Sequence, residues 1–448
     1  MSKRLFNLVT HGEYEYAAQV IELNNELFSR TREDISRIIN IDNIDQLHGA
    51  DLELYQTYVH EMTHFLDSTT TLWGLEFTCR MYRWFKYRTE ESLKVVALND
   101  SEITMHNHLS ENSNQTLNFS QIKFSLEYSD KVGMYVHFHY LNESGNPLQS
   151  VPLSMLSLFE GHAYAQEKLI ICKRFENNDD LVSLKLLENE INNTIKQLGS
   201  SEYTGLLALV MQQLPTVKLS RKLELICIIA NFCLNVPSFY IGMTPEYLLK
   251  AVFSGAPDKY ISALKMELSR SSNRSILSLV VFFAILIQVE SDMSKLNEFA
   301  IENIELFILK IFANGDEASD ELYENMQALW LLEFEMYSKI CSEVGANLAL
   351  LMVEQKTNLG WRWSPIESYH LPSILLPSGE QVSYKKDLGI DMYEHFENML
   401  DKSMSLETEL NNYGIQREHL SPEFHHGWLN HIKTGGSALY VHDVGNEL

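Results

Sequence analysis

Hydrophobic residues recur at intervals of three and four along most of the chain, and this spacing predicts a mostly helical protein. Between residues 51 and 88 the pattern predicts either one long helix or two helices joined near residues 68–71. A further helix is predicted over residues 151–175. Residues 181–355 follow helical spacing almost throughout, which indicates a large helical region in the second half of the chain.

The rest of the first 150 residues mixes predicted helices, strands and one polar segment. Helices are predicted near residues 14–27 and 31–40. Apolar and polar residues alternate over residues 119–128 and again over 133–141, and this period of two predicts two β-strands. The stretch at residues 99–115 is rich in Asn and Ser and predicts a long polar loop.

The balance of charges restricts the partners that the chain can bind. Its 448 residues carry 35 Lys and Arg against 60 Asp and Glu, which gives a formal net charge of −25 at pH 7. An acidic field of this size repels phosphate backbones and anionic lipid surfaces. We therefore expect neither nucleic acid nor a membrane as a partner.

The N-terminus and the cysteines indicate a cytoplasmic protein. The first 20 residues contain no continuous apolar segment of the kind that a secretory signal has. The five cysteines form no Cys-x-x-Cys pair, and an odd number in a large chain is typical of free thiols in a reducing compartment. The most apolar run, residues 276–287, is shorter than the roughly 20 residues of a membrane-spanning helix, so it predicts a buried core helix.

A His-Glu-x-x-His motif lies in the first predicted helical segment, with His60, Glu61 and His64 as its fixed positions. Residues four apart project from one face of a helix, so both imidazoles can bind one tetrahedral metal ion. The glutamate beside the first histidine can accept a proton from a metal-activated water. The spacing therefore predicts a zinc site with Glu61 as the general base.

A catalytic zinc also needs a third protein ligand, and Glu160 is the candidate. On a helix Glu160, Tyr164 and Glu167 share one face, whereas His162 points in roughly the opposite direction. The small Gly161 is expected to let this helix approach the first one closely. Glu76 is the alternative third ligand, if the chain turns back sharply near residues 68–71.

The two motifs together resemble a known family of enzymes. His-Glu-x-x-His followed by a Glu-Gly-x-Ala-x-x-x-Glu helix is similar to the gluzincin metallopeptidases, in particular to the signature of the aminopeptidase N group. The resemblance implies His60, His64 and Glu160 as zinc ligands and Glu61 as the base. Glu160 follows His64 by 96 residues, a longer separation than in that family, so the two predicted strands would form an insertion. The chain also lacks a Gly-x-Met-Glu-Asn stretch, so the resemblance implies a zinc site without an aminopeptidase specificity.

Other polar side chains have two interpretations each. Asp67 and Glu167 are candidates for orienting a zinc ligand through a hydrogen bond. The alternative for Asp67 is a solvated residue near the end of the helix, and the alternative for Glu167 is an ion-pair partner. Tyr164 is a candidate donor to a transition-state oxyanion. His137 and His139 alternate on one strand face and form either a metal-binding pair or, as we expect, a polar surface facing solvent. The C-terminal histidines similarly line a cleft or lie on a surface helix, and they are His425, His426 and His431.

These observations predict an α+β protein, predominantly α-helical, that contains a zincin-like catalytic unit. The catalytic region is expected to hold two ligand helices and a small β insertion, followed by a large helical region and a mixed C-terminal region. The predicted bounds are 1–180 for the catalytic region, 51–67 and 155–175 for its ligand helices, 119–150 for its β insertion, 181–359 for the helical region and 360–448 for the C-terminal region.

The function that this architecture predicts is a zinc metallopeptidase, and more specifically a selective endopeptidase acting on a protein or peptide substrate. The helical region is a candidate surface for a partner protein. One alternative is a catalytically inactive zincin fold that serves as a regulatory or interaction scaffold. Another is a di-iron site formed by carboxylates and histidines, although such bundles carry Glu-x-x-His on two helices and here it occurs once, at Glu61 and His64.

Overall fold

A computed structural model shows the chain to be mostly helical, with two small sheets among the residues that it describes. The α+β class with predominant helix is therefore confirmed. The described residues are 12–24, 27–97, 117–129, 133–197, 202–268, 274–289, 292–298, 304, 308–309, 320–356 and 366–413.

The secondary-structure elements are numbered here in chain order. The strands are β1 (Gly12–Glu15), β2 (Val20–Leu23), β3 (Gln121–Ser129), β4 (Gly133–Leu141), β5 (Pro147–Leu153), β6 (Ile374–Leu375) and β7 (Gln381–Val382). The helices are α1 (Arg32–Ile39), α2 (Ala50–Thr70), α3 (Leu72–Tyr87), α4 (Met155–Asn177), α5 (Leu181–Gln197), α6 (Gly205–Gln213), α7 (Leu219–Asn235), α8 (Ser238–Gly242), α9 (Glu246–Val252), α10 (Asp258–Leu268), α11 (Ser275–Gln288), α12 (Asp320–Val344), α13 (Asn347–Gln355) and α14 (Met392–Tyr413).

Internal contacts divide the chain into two compact units, each built from separate stretches of sequence. The first unit comprises the described residues within Met1–Ala97, Ala163–Asn178 and Leu331–Gly414. The second unit comprises those within Leu98–His162 and Asp179–Trp330. The predicted division at residues 180 and 359 stays a prediction.

The sheet of the first unit joins distant parts of the chain. Its order is β1-β2-β6-β7, in which β1 and β2 are antiparallel and β2 runs parallel to β6. The helix predicted near residues 14–27 is therefore wrong, because this segment forms a hairpin. Gln19 adopts a positive φ of 57° in its turn, and β6 supplies a pairing partner from more than 350 residues away.

Helix α2 is buried on every side over much of its length. Each residue from Tyr58 to Thr70 is buried, including both motif histidines and the glutamate between them. Hydroxyl groups near its C-terminus donate to carbonyls one turn back; Thr69 bonds to Phe65, for example, at 2.6 Å. These bonds satisfy the polar groups that burial would otherwise leave unpaired.

The segment predicted to form one or two helices between residues 51 and 88 forms two. Helix α2 ends at Thr70, and Thr71 caps α3 by accepting a hydrogen bond from the Gly74 amide at 3.1 Å. A β-carbon at Gly74 would overlap the backbone of Asp67 and Ser68. The two helices therefore pack closely immediately after the motif.

The second unit contains an antiparallel sheet in the order β3-β4-β5 and most of the helical region. Strands β3 and β4 were predicted, whereas β5 was not. The apolar face of the sheet packs on helices: the Phe124 ring lies 6.3 Å from Phe253 and 5.3 Å from Phe283. Helix α11, which contains the most apolar run, is a core helix as predicted. None of the described helices combines the length and apolar character that crossing a bilayer requires.

Candidate metal centre

Helices α2 and α4 bring three motif side chains together. Ligand atoms of His60, His64 and Glu160 all lie within 4.8 Å of one another. All three residues are buried, and Glu160 is only 1% exposed. A buried carboxylate next to two imidazoles requires a compensating partner, and a metal ion is one that such a donor set accepts.

The two imidazoles are oriented for a common ligand. The Nε2 atoms of His60 and His64 are 3.2 Å apart. The outer nitrogen of His60, Nδ1, lies 3.1 Å from a carboxylate oxygen of Glu167, and the outer nitrogen of His64 lies 3.2 Å from the Tyr16 hydroxyl. Because a carboxylate only accepts hydrogen bonds, His60 Nδ1 is the donor and its Nε2 carries the lone pair.

Glu167 is an acidic group held in its ionised form. Burial would raise its pKa, but the nearby Lys168 ammonium and the hydrogen bond from His60 together lower that pKa below the usual value. Lys168 lies 3.2 Å from the carboxylate, and its ammonium is 5.4 Å from the centre of the Tyr164 ring. Glu167 thus contacts both the outer nitrogen of His60 and the Lys168 ammonium, and its role in orienting a metal ligand stays a prediction. Tyr164 is buried on the same helix, and its role as an oxyanion donor stays a prediction.

Glu61 is fixed by close packing. It is 5% exposed, and a β-carbon added at Gly12 would come within 3.0 Å of Glu61 Cγ and 2.7 Å of Thr57 Cγ2. The absence of a side chain at the start of β1 therefore leaves room for the Glu61 side chain. The sequence pattern alone did not indicate this role for Gly12.

Asp67 and Glu76 lie elsewhere in the first unit. Asp67 is buried one turn beyond His64, near the end of α2 where the Lys356 ammonium donates to the Thr70 carbonyl. Burial lowers the pKa of Lys356 to about 7, and the Asp67 carboxylate opposes part of that shift. Glu76 forms an ion pair with Arg80 on its own helix and is not part of the group of three. The structure thus favours Glu160 over Glu76 as the third member.

Gly161 is not a point of close approach, because a β-carbon there would meet no atom within 4 Å. Close approaches occur instead at Gly12 and Gly74.

The contact between Tyr16 and His64 was not predicted, because Tyr16 precedes His64 by 48 residues and lies in a segment predicted to be helical. No local signal in the sequence pairs it with the motif.

The strand face that carries His137 and His139 is buried, so the expectation of a solvent-facing surface is wrong. His139 is fully buried between the hydroxyls of Ser125 and Ser150, at 2.6 and 2.7 Å. The Glu127 carboxylate accepts from Ser125 at 2.6 Å and from His137 Nδ1 at 3.2 Å. These hydrogen bonds offset most of the cost of burying polar groups in the sheet, whereas the Nε2 atom of His137 has no hydrogen-bond partner among the described residues. The C-terminal histidines and the 99–115 stretch lie outside the described residues.

Replacing Glu127 with glutamine is expected to destabilise the protein at neutral pH and much less in acid. Burial opposes ionisation, but His137, His139 and Ser125 lower the pKa of Glu127 from 4.5 to about 2. A lowered folded-state pKa stabilises the protein above pH 4.5, and this contribution disappears as the pH falls from 4.5 towards 2. The shift corresponds to about 3 kcal/mol at pH 7.

Urea unfolding of the Glu127→Gln variant at pH 7, 5 and 3 measures this effect. The difference in the free energy of unfolding between the variant and wild type should become smaller as the pH falls. Glu143→Gln, in the exposed turn after β4, is the matched control and should show little difference at any pH. A pH-independent difference for Glu127→Gln would contradict the assignment of an ionised carboxylate.

Replacing Glu167 with glutamine is expected to weaken metal binding without abolishing it. The carboxylate orients His60 and increases the basicity of its Nε2, and partners of this kind are typically worth about 10- to 100-fold in metal affinity. Competition with a chromophoric chelator measures the affinity. Glu176→Gln, nine residues further along α4, should leave it unchanged; equal losses in both variants would contradict a specific role for Glu167.

Comparison with known proteins adds no family to this description. No protein-family model, no curated protein and no solved structure matches the chain. The function must therefore be inferred from the arrangement of its own residues.

Proposed function

We propose that the chain is a zinc-dependent metallopeptidase with a zincin-like, gluzincin-type site. His60, His64 and Glu160 are the proposed ligands, and Glu61 is the proposed base. One observation carries the proposal: two imidazoles and one carboxylate converge in a buried position, and the outer nitrogens of both imidazoles lie against polar partners.

The distance between the two histidine nitrogens supports a tetrahedral ion. Zinc binds imidazole nitrogen at about 2.0–2.1 Å, so two such ligands of a tetrahedral ion lie about 3.3–3.4 Å apart. The Nε2 atoms of His60 and His64 are 3.2 Å apart. His60 donates from Nδ1 to Glu167, so its Nε2 carries a lone pair directed at this position, and His64 Nε2 is close enough to bind the same ion.

The donor set favours one zinc over two irons. Two nitrogens and one oxygen match the protein ligands of a catalytic zinc, with a fourth position for water. A di-iron site would need Glu167 as a ligand as well, but its carboxylate is bonded to the outer nitrogen of His60 and to Lys168. This arrangement is typical of a residue that orients a metal ligand by a hydrogen bond and does not bind the metal itself.

The proposed chemistry is hydrolysis of a peptide bond. A zinc ion in this site would lower the pKa of a bound water towards 7 and polarise the substrate carbonyl. Glu61 would accept the proton of the attacking water and pass it to the leaving nitrogen. Burial of Glu61 and its packing against Gly12 restrict the directions in which its carboxylate can point.

The alternative of a non-catalytic interaction protein has one observation in its favour. Helix α5 exposes three apolar side chains near its N-terminus, since Leu181, Val182 and Leu186 are 76%, 72% and 63% exposed. Apolar residues exposed together are typical of surfaces that contact another protein. Such a surface is equally compatible with an enzyme that binds a partner or a substrate there.

Metal analysis of protein purified without added metal tests the proposal. We expect one zinc per chain in wild type and none in His64→Ala, with His48→Ala, at a histidine before α2, as the matched control that keeps its zinc. Two irons per chain, or no metal in a folded wild type, would contradict the proposal. Zinc without hydrolysis of an unfolded protein substrate would favour the interaction protein.

A further inference from the structure

Two buried cysteines on different helices of the first unit lie in contact. Cys79 is on α3 and Cys341 on α12, and their sulfur atoms are 3.4 Å apart although 262 residues separate them in sequence. Both are free thiols, and the Cys79 thiol also lies 3.4 Å from the Tyr337 carbonyl. Since the carbonyl only accepts, Cys79 donates to Tyr337 and Cys341 donates to the sulfur of Cys79.

The sulfurs are close to bonding distance. A disulfide has an S–S length of about 2.05 Å, so the two atoms would have to approach by about 1.4 Å. Rotation of the two side chains about their Cα–Cβ bonds is the movement that would bring the sulfur atoms together. The hydrogen bond thus holds the two sulfur atoms next to each other, as the formation of a disulfide requires.

A cavity gives small molecules access to one of the two thiols. It has a volume of about 280 Å³ and is lined by Cys79, Glu76, Arg80, Ser92 and Tyr337, among others. A water-sized oxidant such as hydrogen peroxide is much smaller than this volume, and the polar lining can form hydrogen bonds with it. Cys341 is fully buried behind Cys79.

We propose that Cys79 and Cys341 form a reversible disulfide when the protein meets a small peroxide. The Cys79 sulfur, as thiolate, attacks one oxygen of hydrogen peroxide; the O–O bond breaks, a sulfenic acid forms and one water leaves. The Cys341 sulfur then attacks the sulfenic sulfur, the S–O bond breaks and a second water leaves. The two thiol hydrogens end in water, the two sulfurs together lose two electrons, and the peroxide gains them.

The local environment determines the rate of this reaction. The hydrogen bond with Cys341 and burial both raise the pKa of the Cys79 thiol, so little thiolate is present near neutral pH. The reaction is therefore slow, and mild or brief oxidation leaves the pair reduced. Sustained exposure to peroxide is the condition that produces the disulfide.

The expected consequence is a cross-link between two helices of the first unit. Helix α3, which carries Cys79, packs closely on the motif helix α2 at Gly74. A bond between residues so distant in sequence restricts the unfolded chain and raises the melting temperature by about 5 °C. This inference concerns the cysteines alone and does not depend on the proposed metallopeptidase activity.

Thiol counting on the full-length protein tests the proposal. After prolonged treatment with hydrogen peroxide, wild type should fall from five reactive thiols in denaturant to three and recover all five with dithiothreitol. Mass spectrometry of a non-reduced digest should show a peptide that joins Cys79 to Cys341. Cys79→Ser should lose no thiol pair, whereas Cys233→Ser, at a buried thiol of the second unit, should still lose two.

Other outcomes would overturn the proposal. These are a cross-link between different cysteines, sulfinic acid on Cys79 without a cross-link, or the same thiol loss in Cys79→Ser as in wild type. If the Cys79→Ser variant does not fold, the wild-type digest decides by itself, because the joined peptide and its loss on reduction need no variant. Absence of that peptide in oxidised wild type overturns the proposal.

Discussion

Replacing Glu61 with glutamine should leave the zinc content and the fold unchanged and reduce peptide hydrolysis by about 10²- to 10⁴-fold, the range typical of losing a general base. Glutamine has the same shape as glutamate, so the packing against Gly12 is retained. Its amide cannot accept a proton from water at neutral pH. The variant therefore removes one chemical step and leaves the three proposed ligands in place.

Initial rates on an unfolded protein substrate, measured together with zinc content, test this expectation. Glu53→Gln, two turns earlier on α2 and exposed, is the matched control and should keep full activity. Undiminished hydrolysis by Glu61→Gln would show that another group is the base. Loss of zinc along with activity would show that Glu61 holds the site together structurally.

Much of the helical framework could be predicted because helical spacing is a local property. The break between α2 and α3 follows from a threonine that caps the second helix, and the strands β3 and β4 follow from alternation within each segment. The hairpin of β1 and β2 could not be predicted in the same way. The strand β2 pairs with β6, which lies at residues 374–375, and the sequence around β1 and β2 does not indicate a partner so far along the chain.

The candidate site shows the same division between local and distant information. The pairing of His60 with His64 follows from their spacing alone, whereas no local pattern joins Glu160 to them across 96 residues, and Glu76 stayed open as an alternative. Tyr16 reaches His64 from a turn that local pattern assigned to a helix. The buried histidines of β4 were misjudged because alternation shows which residues share a face and not whether that face is covered.

Substituting alanine at Gly74 should lower the free energy of unfolding by about 3 kcal/mol or more, an overpacking effect at the upper end of the usual range. The added β-carbon would overlap the backbone of Asp67 and Ser68 on α2. Backbone atoms cannot rotate away as a flexible side chain can, so the two helices must separate. Because that part of α2 begins one turn beyond His64, we also expect weaker metal binding.

Gly161 provides the matched control, since it is a helical glycine on α4 next to the proposed ligand Glu160. A β-carbon there meets nothing within 4 Å, so Gly161→Ala should raise the free energy of unfolding by about 0.5–1 kcal/mol through helix propensity. Chemical denaturation of both variants measures the contrast. Similar stabilities would mean that α2 and α3 are not in close contact at Gly74. The difference between the two changes in the free energy of unfolding thus measures how tightly α3 packs against α2, the helix that carries both histidines.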